Sequence, residues 1–204
     1  ALAIAMALPV ALAAFSPLLA WRDPIYIAAC FGGIVAMALL LVQPLLAGNQ
    51  VPGLSRLRAR HLHRWIGGAL VILVALHVGG LYLTSAPDVI DALLFQSPTS
   101  FSPWGVVAMG ALILVALLAA ARRKLRLRPR LWRLLHVALA TVVVAGTIVH
   151  AVLIEGTMAP WSKVVLSAGL AGALALYAWS ILRQCGGPSH LRQGALGVKR
   201  PLSL

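Results

Sequence analysis

Apolar residues form six long stretches along the chain, separated by short polar segments. We place these stretches near residues 2–20, 25–47, 63–83, 104–121, 132–154 and 162–182. As helices they are long enough, or nearly so, to cross about 30 Å of hydrocarbon. The first stretch contains Pro9 and Pro17 and has no basic region before it, so a signal peptide is the weaker alternative there. The pattern predicts an all-α membrane bundle of six transmembrane helices.

The composition excludes the main alternatives to a membrane protein. Apolar residues make up 61% of the 204 residues, charged residues make up 10%, and the mean hydropathy is +0.96. A soluble domain carries about 25% charged residues, so a soluble globular protein, a disordered chain and a fibrous repeat do not fit. We expect one membrane domain over residues 1–204, with a basic cytoplasmic tail at 183–204.

The net charge of +13 invites a nucleic-acid interpretation, but the positions of the charges argue against it. One predicted face holds all four acidic residues but only Arg22 and Lys163 of the basic ones. The other face carries the remaining 15 of the 17 basic residues, in the segments 56–64, 122–133 and 183–200. The positive-inside rule then predicts that both termini are cytoplasmic. The run at 122–130 is interpreted as a topology signal, with docking of an acidic partner or of anionic membrane lipid as the alternative.

The longest segment on the outer side is residues 84–103. Its core, DVIDALLF, predicts a short interfacial helix whose residues Asp88 and Asp91 face water. Such a segment usually caps the bundle, and the sharper hypothesis is that it shapes a site on the outer side.

Four histidines recur at one spacing inside the predicted membrane helices. His63 and His77 lie on the third helix and His136 and His150 on the fifth, and both intervals are 14 residues. Fourteen steps of about 100° come close to four full turns, so both histidines of a helix share a face, about 21 Å apart along the axis. His61 is roughly 160° out of phase with His77, and His190 lies in the tail, so neither is a favoured ligand.

The two histidine-bearing helices start on the same side, so we expect His63 level with His136 and His77 level with His150. Imidazoles on both sides of a flat macrocycle are typical of a six-coordinate b haem. A zinc site is less favoured, because zinc takes three or four clustered ligands. A proton relay has no reason to repeat the spacing. The ordinary alternative to haem is that these histidines form hydrogen bonds between helices. The sequence therefore predicts two haem sites, with the four histidines as ligands of the haem iron.

Residues near the histidines add to this hypothesis. Glycines close to them would let a large planar ring approach the backbone, namely Gly67, Gly68, Gly79, Gly80 and Gly146. Arginines placed to meet the carboxylates of the inner haem are Arg60, Arg64 and Arg133. Trp65 and Trp132 are interpreted as interfacial belt residues, with packing on the inner haem as the alternative.

The segments RHLHRWIGGALVILVALH and LWRLLHVALATVVVAGTIVH resemble the ferric reductase-like transmembrane domain superfamily. It includes ferric reductases, NADPH oxidases and the haem-binding membrane subunit of the periplasmic methionine sulfoxide reductase system. The resemblance covers helices 2 to 6 and implies a bundle with b haems that passes electrons across a bacterial-type inner (plasma) membrane. It places the inner pair on His63 and His136 and the outer pair on His77 and His150. The methionine sulfoxide reductase subunit usually lacks a histidine at the position of His63, so the histidine pattern of this chain is closer to that of the two-haem members.

Many members of this superfamily continue into a flavin- and nicotinamide-binding domain, but only about twenty residues follow the sixth helix here, and no G-x-G-x-x-G or P-loop motif occurs. We therefore expect two haem b and a separate electron donor, either a flavin reductase or quinol, with an acceptor on the outer side. The chain would be the membrane component of an oxidoreductase system. One alternative is a di-haem cytochrome b that exchanges electrons with quinone inside a larger respiratory or photosynthetic complex. The other is a membrane scaffold without redox activity.

Overall fold

The computed structural model describes residues 2–185, and every regular element in that range is helical. A single 3₁₀ turn, Pro17–Leu19, follows the first helix. The helices are α1 (Leu2–Ala14), α2 (Pro24–Ala47), α3 (Arg56–Thr84), α4 (Ala86–Leu93), α5 (Ser102–Leu125), α6 (Pro129–Leu153) and α7 (Pro160–Cys185). The predicted all-α class is therefore confirmed.

Five helices are long and apolar enough to cross a membrane: α2, α3, α5, α6 and α7. The prediction of six crossings is confirmed only for these five. The first apolar stretch forms a helix of 13 residues, Leu2–Ala14, which is about 20 Å long and shorter than the hydrocarbon core. Pro17 begins the 3₁₀ turn that follows, so the apolar run to residue 20 does not continue as one helix.

Local capping explains where the long helices start and stop. The Asp23 carboxylate accepts from the backbone N–H of Ile25 at 2.7 Å, and the Ser55 hydroxyl accepts from that of Arg58. Both caps supply acceptors for N–H groups that lack a partner inside the helix. Because Ser55 caps α3, that helix begins at Arg56, seven residues before the predicted apolar span, and carries its basic flank in helical form. Arg126 ends α5 in the left-handed conformation, with φ of 45°.

Helix α2 lies at the centre of the bundle and packs against α1, α3 and α7, while α5 packs against α6. The most deeply buried large side chains are Leu166 and Leu170 of α7. Many large apolar side chains on the long helices point outward, including Ile72, Leu117, Leu134 and Leu176. An apolar outer surface of this kind is what lipid covers in a membrane protein.

The short helix predicted in the connection between α3 and α5 is confirmed as α4, which has eight residues; its interfacial position stays a prediction. Asp88 and Asp91 are both exposed, as predicted. Asp88 accepts a hydrogen bond from the Ser85 hydroxyl at 2.6 Å. Residues 186–204, which include His190 and most of the predicted basic tail, lie outside the described residues.

Candidate functional site

The two predicted inner ligands face each other across the bundle. The imidazole rings of His63 on α3 and His136 on α6 have centroids 6.1 Å apart, with 59° between their planes. A ring that binds a metal through nitrogen at about 2 Å has its centroid roughly 3 Å from that metal, so two rings on opposite sides lie about 6 Å apart. The spacing of His63 and His136 fits two axial ligands of one iron.

The two predicted outer ligands share a cavity. His77 on α3 and His150 on α6 both line a space of about 750 Å³ that also reaches α2, α4 and α5. This volume lies within the range of small-molecule and cofactor sites. Each of the two candidate sites thus combines one histidine from α3 with one from α6.

Three of the four imidazoles are oriented by a backbone carbonyl on a neighbouring helix. The Nδ1 of His77 donates to Ala29 O at 2.7 Å, that of His150 to Phe101 O at 3.0 Å, and that of His63 to Gln43 O at 3.3 Å. When the proton is on Nδ1, the lone pair of Nε2 is free, and in this tautomer the ring can bind a metal through Nε2. The donor chemistry at these three positions therefore fits iron ligation.

Gln43 holds His63 from both directions. Its side-chain amide donates to the backbone carbonyl of His63 at 3.2 Å, while its own backbone carbonyl accepts from the imidazole. Gln43 is buried near the C-terminal end of α2. These paired contacts fix the position of α3 against α2 at the level of the inner site.

Two glycines, which the sequence analysis did not single out, make room for the outer histidines. A Cβ on Gly33 would lie 3.0 Å from the Nδ1 of His77, and a Cβ on Gly105 would lie 2.7 Å from that of His150. Each glycine lies four residues after the carbonyl that its histidine contacts, Ala29 or Phe101. In a helix the side chain at that position stands beside this carbonyl, so a glycine there lets the imidazole reach the oxygen.

Two of the glycines chosen from the sequence serve helix packing instead of a ring. A Cβ on Gly80 would lie 2.7 Å from the Cβ of Ala29, and one on Gly146 would lie 3.0 Å from both Trp104 O and the Cβ of Ala108. These contacts are close backbone approaches between α3 and α2 and between α6 and α5. The expectation that they admit the macrocycle is wrong in this structure. Gly68 and Gly79 face open space, and Gly67 faces the Gln43 amide at 3.6 Å.

His136 is held by stacking and differs in this from the other three histidines. Its ring stacks on Trp132 with centroids 5.0 Å apart and 19° between the planes. The guanidinium of Arg122 lies over the Trp132 ring, 4.1 Å from the centroid of that ring. Within residues 2–185 the buried Nδ1 of His136 has no hydrogen-bond partner. The interpretation of Trp132 as a belt residue stays a prediction, to which the structure adds its contact with a candidate ligand. Trp65, 77% exposed, fits a belt position.

The remaining candidates lie on the surface. Arg60, Arg64 and Arg133 are all exposed at the end of the bundle that carries the inner pair, and their predicted contact with haem carboxylates stays a prediction. His61 is also exposed. Arg122, which the sequence analysis did not select, contacts the inner pair indirectly, through the Trp132 ring that stacks on His136. Its position follows from the short turn after α5, which brings the end of α5 beside the start of α6.

The histidines come in twos and do not form a larger cluster. Among residues 2–185 no group of three or more His, Cys, Asp or Glu side chains is arranged to hold a metal ion. Two protein ligands at a site fit a cofactor that brings its own equatorial ligands, as haem does. The two levels of paired imidazoles thus define a multi-pass membrane protein with candidate haem sites.

The sequence model described as "Ferric reductase like transmembrane component" matches residues 32–147. This match covers more than half of the chain, which therefore belongs to the ferric reductase-like transmembrane family. The matched range includes His63, His77 and His136 and ends three residues before His150. Searches of curated proteins and of solved structures returned no match.

Proposed function

We propose that this protein is the transmembrane electron-transfer component of an oxidoreductase system and holds two b haems. His63 and His136 would bind the inner haem, and His77 and His150 the outer one. The observation that carries the proposal is that His63 and His136 face each other with ring centroids 6.1 Å apart, while His77 and His150 line one cavity. Membership of the ferric reductase-like family supports a redox role in the membrane.

The protein's part in this activity is to position two redox centres. When bound, haem supplies reversible one-electron chemistry at iron. The carbonyls of Ala29, Phe101 and Gln43 hold three imidazoles with Nε2 available, and such hydrogen bonds raise the basicity of the ligand. Helices α3 and α6 keep the two levels about 21 Å apart along the helix axis. Electrons would cross the bilayer by passing from one of these two haem levels to the other.

The direction of transfer rests on the charge distribution. The start of α3, the segment from the end of α5 to the start of α6, and the sequence from residue 183 onward carry 15 of the 17 basic residues, and basic residues favour the cytoplasmic face. We infer that the His63–His136 level is cytoplasmic and that electrons move outward from it. The donor would be a separate flavin reductase or quinol, the acceptor would lie outside, and the membrane would be a bacterial-type inner (plasma) membrane.

Replacement of individual histidines tests this assignment. In His77→Ala or His150→Ala, the outer haem should be lost while the inner haem is still reduced from the cytoplasmic side. In His63→Ala or His136→Ala, reduction of an intact outer haem should stop, because its neighbour is missing. The measurement is the optical spectrum of each purified, folded variant after addition of a flavin reductase with NAD(P)H, or of a quinol in a parallel sample.

His61→Ala is the matched control, since it removes an exposed imidazole two residues from His63 and should spare both haems. A folded His77→Ala protein that still reduces an outside acceptor at the wild-type rate would contradict the proposal. Reduction by quinol but not by the flavin reductase would favour the alternative of a quinone-linked cytochrome b subunit.

A further inference from the structure

Lys163 is a buried lysine in the wall of the outer cavity. It lies in the first turn of α7, is only 7% exposed, and lines the cavity together with His77 and His150. The buried Thr157, in the connection before α7, lines the same space. A lysine near a membrane surface normally extends its ammonium to water, so burial beside a cavity is unusual.

Among the described residues the ammonium makes no direct salt bridge, and the opposite charge that acts on it is the carboxylate of Glu155, which is exposed to solvent. Its hydrogen bond goes to the backbone carbonyl of Ile154, a neutral acceptor. An ammonium has three donors, and a buried charge is costly unless an opposite charge accompanies it. The start of α7 adds the positive end of the helix dipole at the same place. The potential in this part of the cavity therefore favours an anion.

The acidic side chains near the cavity are already engaged or face solvent. Asp23 is exposed and accepts from the N–H of Ile25 as the cap of α2, and Asp88 is exposed and accepts from Ser85. Glu155, the acidic residue nearest to Lys163 in the sequence, is exposed. Arg22 is the other basic residue of the lining and is exposed, with its guanidinium over the Tyr26 ring.

We propose that Lys163 is the cationic anchor for a carboxylate group of a molecule bound in the outer cavity. The carboxylate would come either from the outer haem itself or from an acceptor that enters from the outside. Both sources present the same chemistry to the ammonium, a charge-assisted hydrogen bond. This inference rests on the proposed function, because it takes the cavity as the site of the outer haem.

The test compares wild type, Lys163→Met, which keeps the length of the side chain without its charge, and Lys163→Arg, which keeps the charge. Lys124→Met is the matched control at an exposed lysine on α5. The first measurement is the rate of haem loss to excess apomyoglobin, from protein loaded with haem or with haem dimethyl ester. The second is citrate binding to the detergent-solubilised protein, measured by isothermal titration calorimetry.

If the carboxylate belongs to haem, Lys163→Met should release one haem roughly tenfold faster, the size expected for a lost charged hydrogen bond. The dimethyl ester should then leave wild type and Lys163→Met at equal rates. If the carboxylate belongs to an acceptor, haem loss should be unchanged and citrate affinity should fall roughly tenfold. Lys163→Arg keeps the charge, so its haem loss and citrate affinity should stay close to those of wild type. Lys124→Met should match wild type in both measurements.

Unchanged haem loss together with unchanged citrate binding in folded Lys163→Met would overturn the inference. If that variant does not fold, wild type alone decides: equal release of haem and its ester, with no citrate binding, would also overturn it. A wild-type protein that binds no haem at all would contradict the proposed function instead, and citrate binding would still report on Lys163.

Discussion

The orientation of the outer imidazoles depends on single backbone atoms of neighbouring helices. His77 reaches a carbonyl of α2 and His150 reaches the carbonyl of Phe101, which caps α5, because a glycine stands where a side chain would block each ring. A well-packed interior has little room for an extra methyl group. The fit at these two positions is therefore a sensitive point of the outer site.

Gly105→Ala should displace His150 and weaken the outer haem site. The added Cβ would lie 2.7 Å from Nδ1 and 2.9 Å from Cε1 of the His150 ring, so the ring or α5 has to move, at a cost of about 1–3 kcal/mol. Gly33→Ala, with a 3.0 Å contact to His77, should have the same effect in weaker form. Haem content and the low-spin spectrum of the purified variants measure the loss.

Gly110→Ala is the control on α5, because a Cβ there meets nothing within 4 Å. It should retain the full haem content. Equal haem content in Gly105→Ala, Gly110→Ala and wild type would show that the His150 ring does not depend on the contact with Gly105.

At the scale of helices, the histidine spacing was enough to predict which residues face each other. His63 and His136 are 73 positions apart in the chain, yet the period of the helix and the parallel direction of α3 and α6 bring them together. The spacing of residues along α3 and α6 carries no information about the contacts that other helices, such as α2 and α5, make with them. For that reason the roles of Gly33, Gly105 and Arg122 were missed, and so was the stacking of Trp132 on His136.

The positions of the helices were also predicted only in part from the sequence. The apolar stretches predicted the centres of the five long helices, because burial in lipid follows hydropathy. The ends extend into polar flanks where caps such as Ser55 and helix-forming arginines continue the hydrogen bonding. The first stretch departs most from its prediction, since Pro17 interrupts the apolar run at a point that hydropathy alone does not mark.

Helix α4 forms part of the wall of the outer cavity through Val89 and Ala92, which supports the hypothesis that this segment shapes an outer site. Ile90→Pro should unwind α4, because proline removes a hydrogen bond and clashes inside a helix of eight residues. We expect faster oxidation of the outer haem by a water-soluble oxidant added from outside. Stopped-flow absorbance of the reduced protein measures the rate.

Ile90→Ala serves as the control because it removes the partly exposed side chain and keeps the helix. Its oxidation rate should stay close to that of wild type. The same rate in Ile90→Pro and Ile90→Ala would mean that α4 does not limit access to the cavity.

At the scale of the whole molecule, the charge asymmetry predicts the orientation that the proposed direction of electron flow requires. A reporter that is active only outside the cytoplasm should be inactive when fused after Leu204 and active when inserted near Pro98, in the connection between α4 and α5. The basic residues that cluster at one end of the bundle are the physical reason. The opposite pattern of reporter activity would exchange the inner and outer labels of the two sites.

The number of haems per chain tests the central claim most directly. One pair of imidazoles with ring centroids 6.1 Å apart, and a second pair in the wall of one cavity, predict two haems in the fully loaded protein. Pyridine haemochrome analysis of the purified chain, set against its protein concentration, gives this ratio. The account predicts a value that approaches two. A value that stays at one under full haem loading would contradict the two-site arrangement, and a value of zero would contradict the proposed function as a whole.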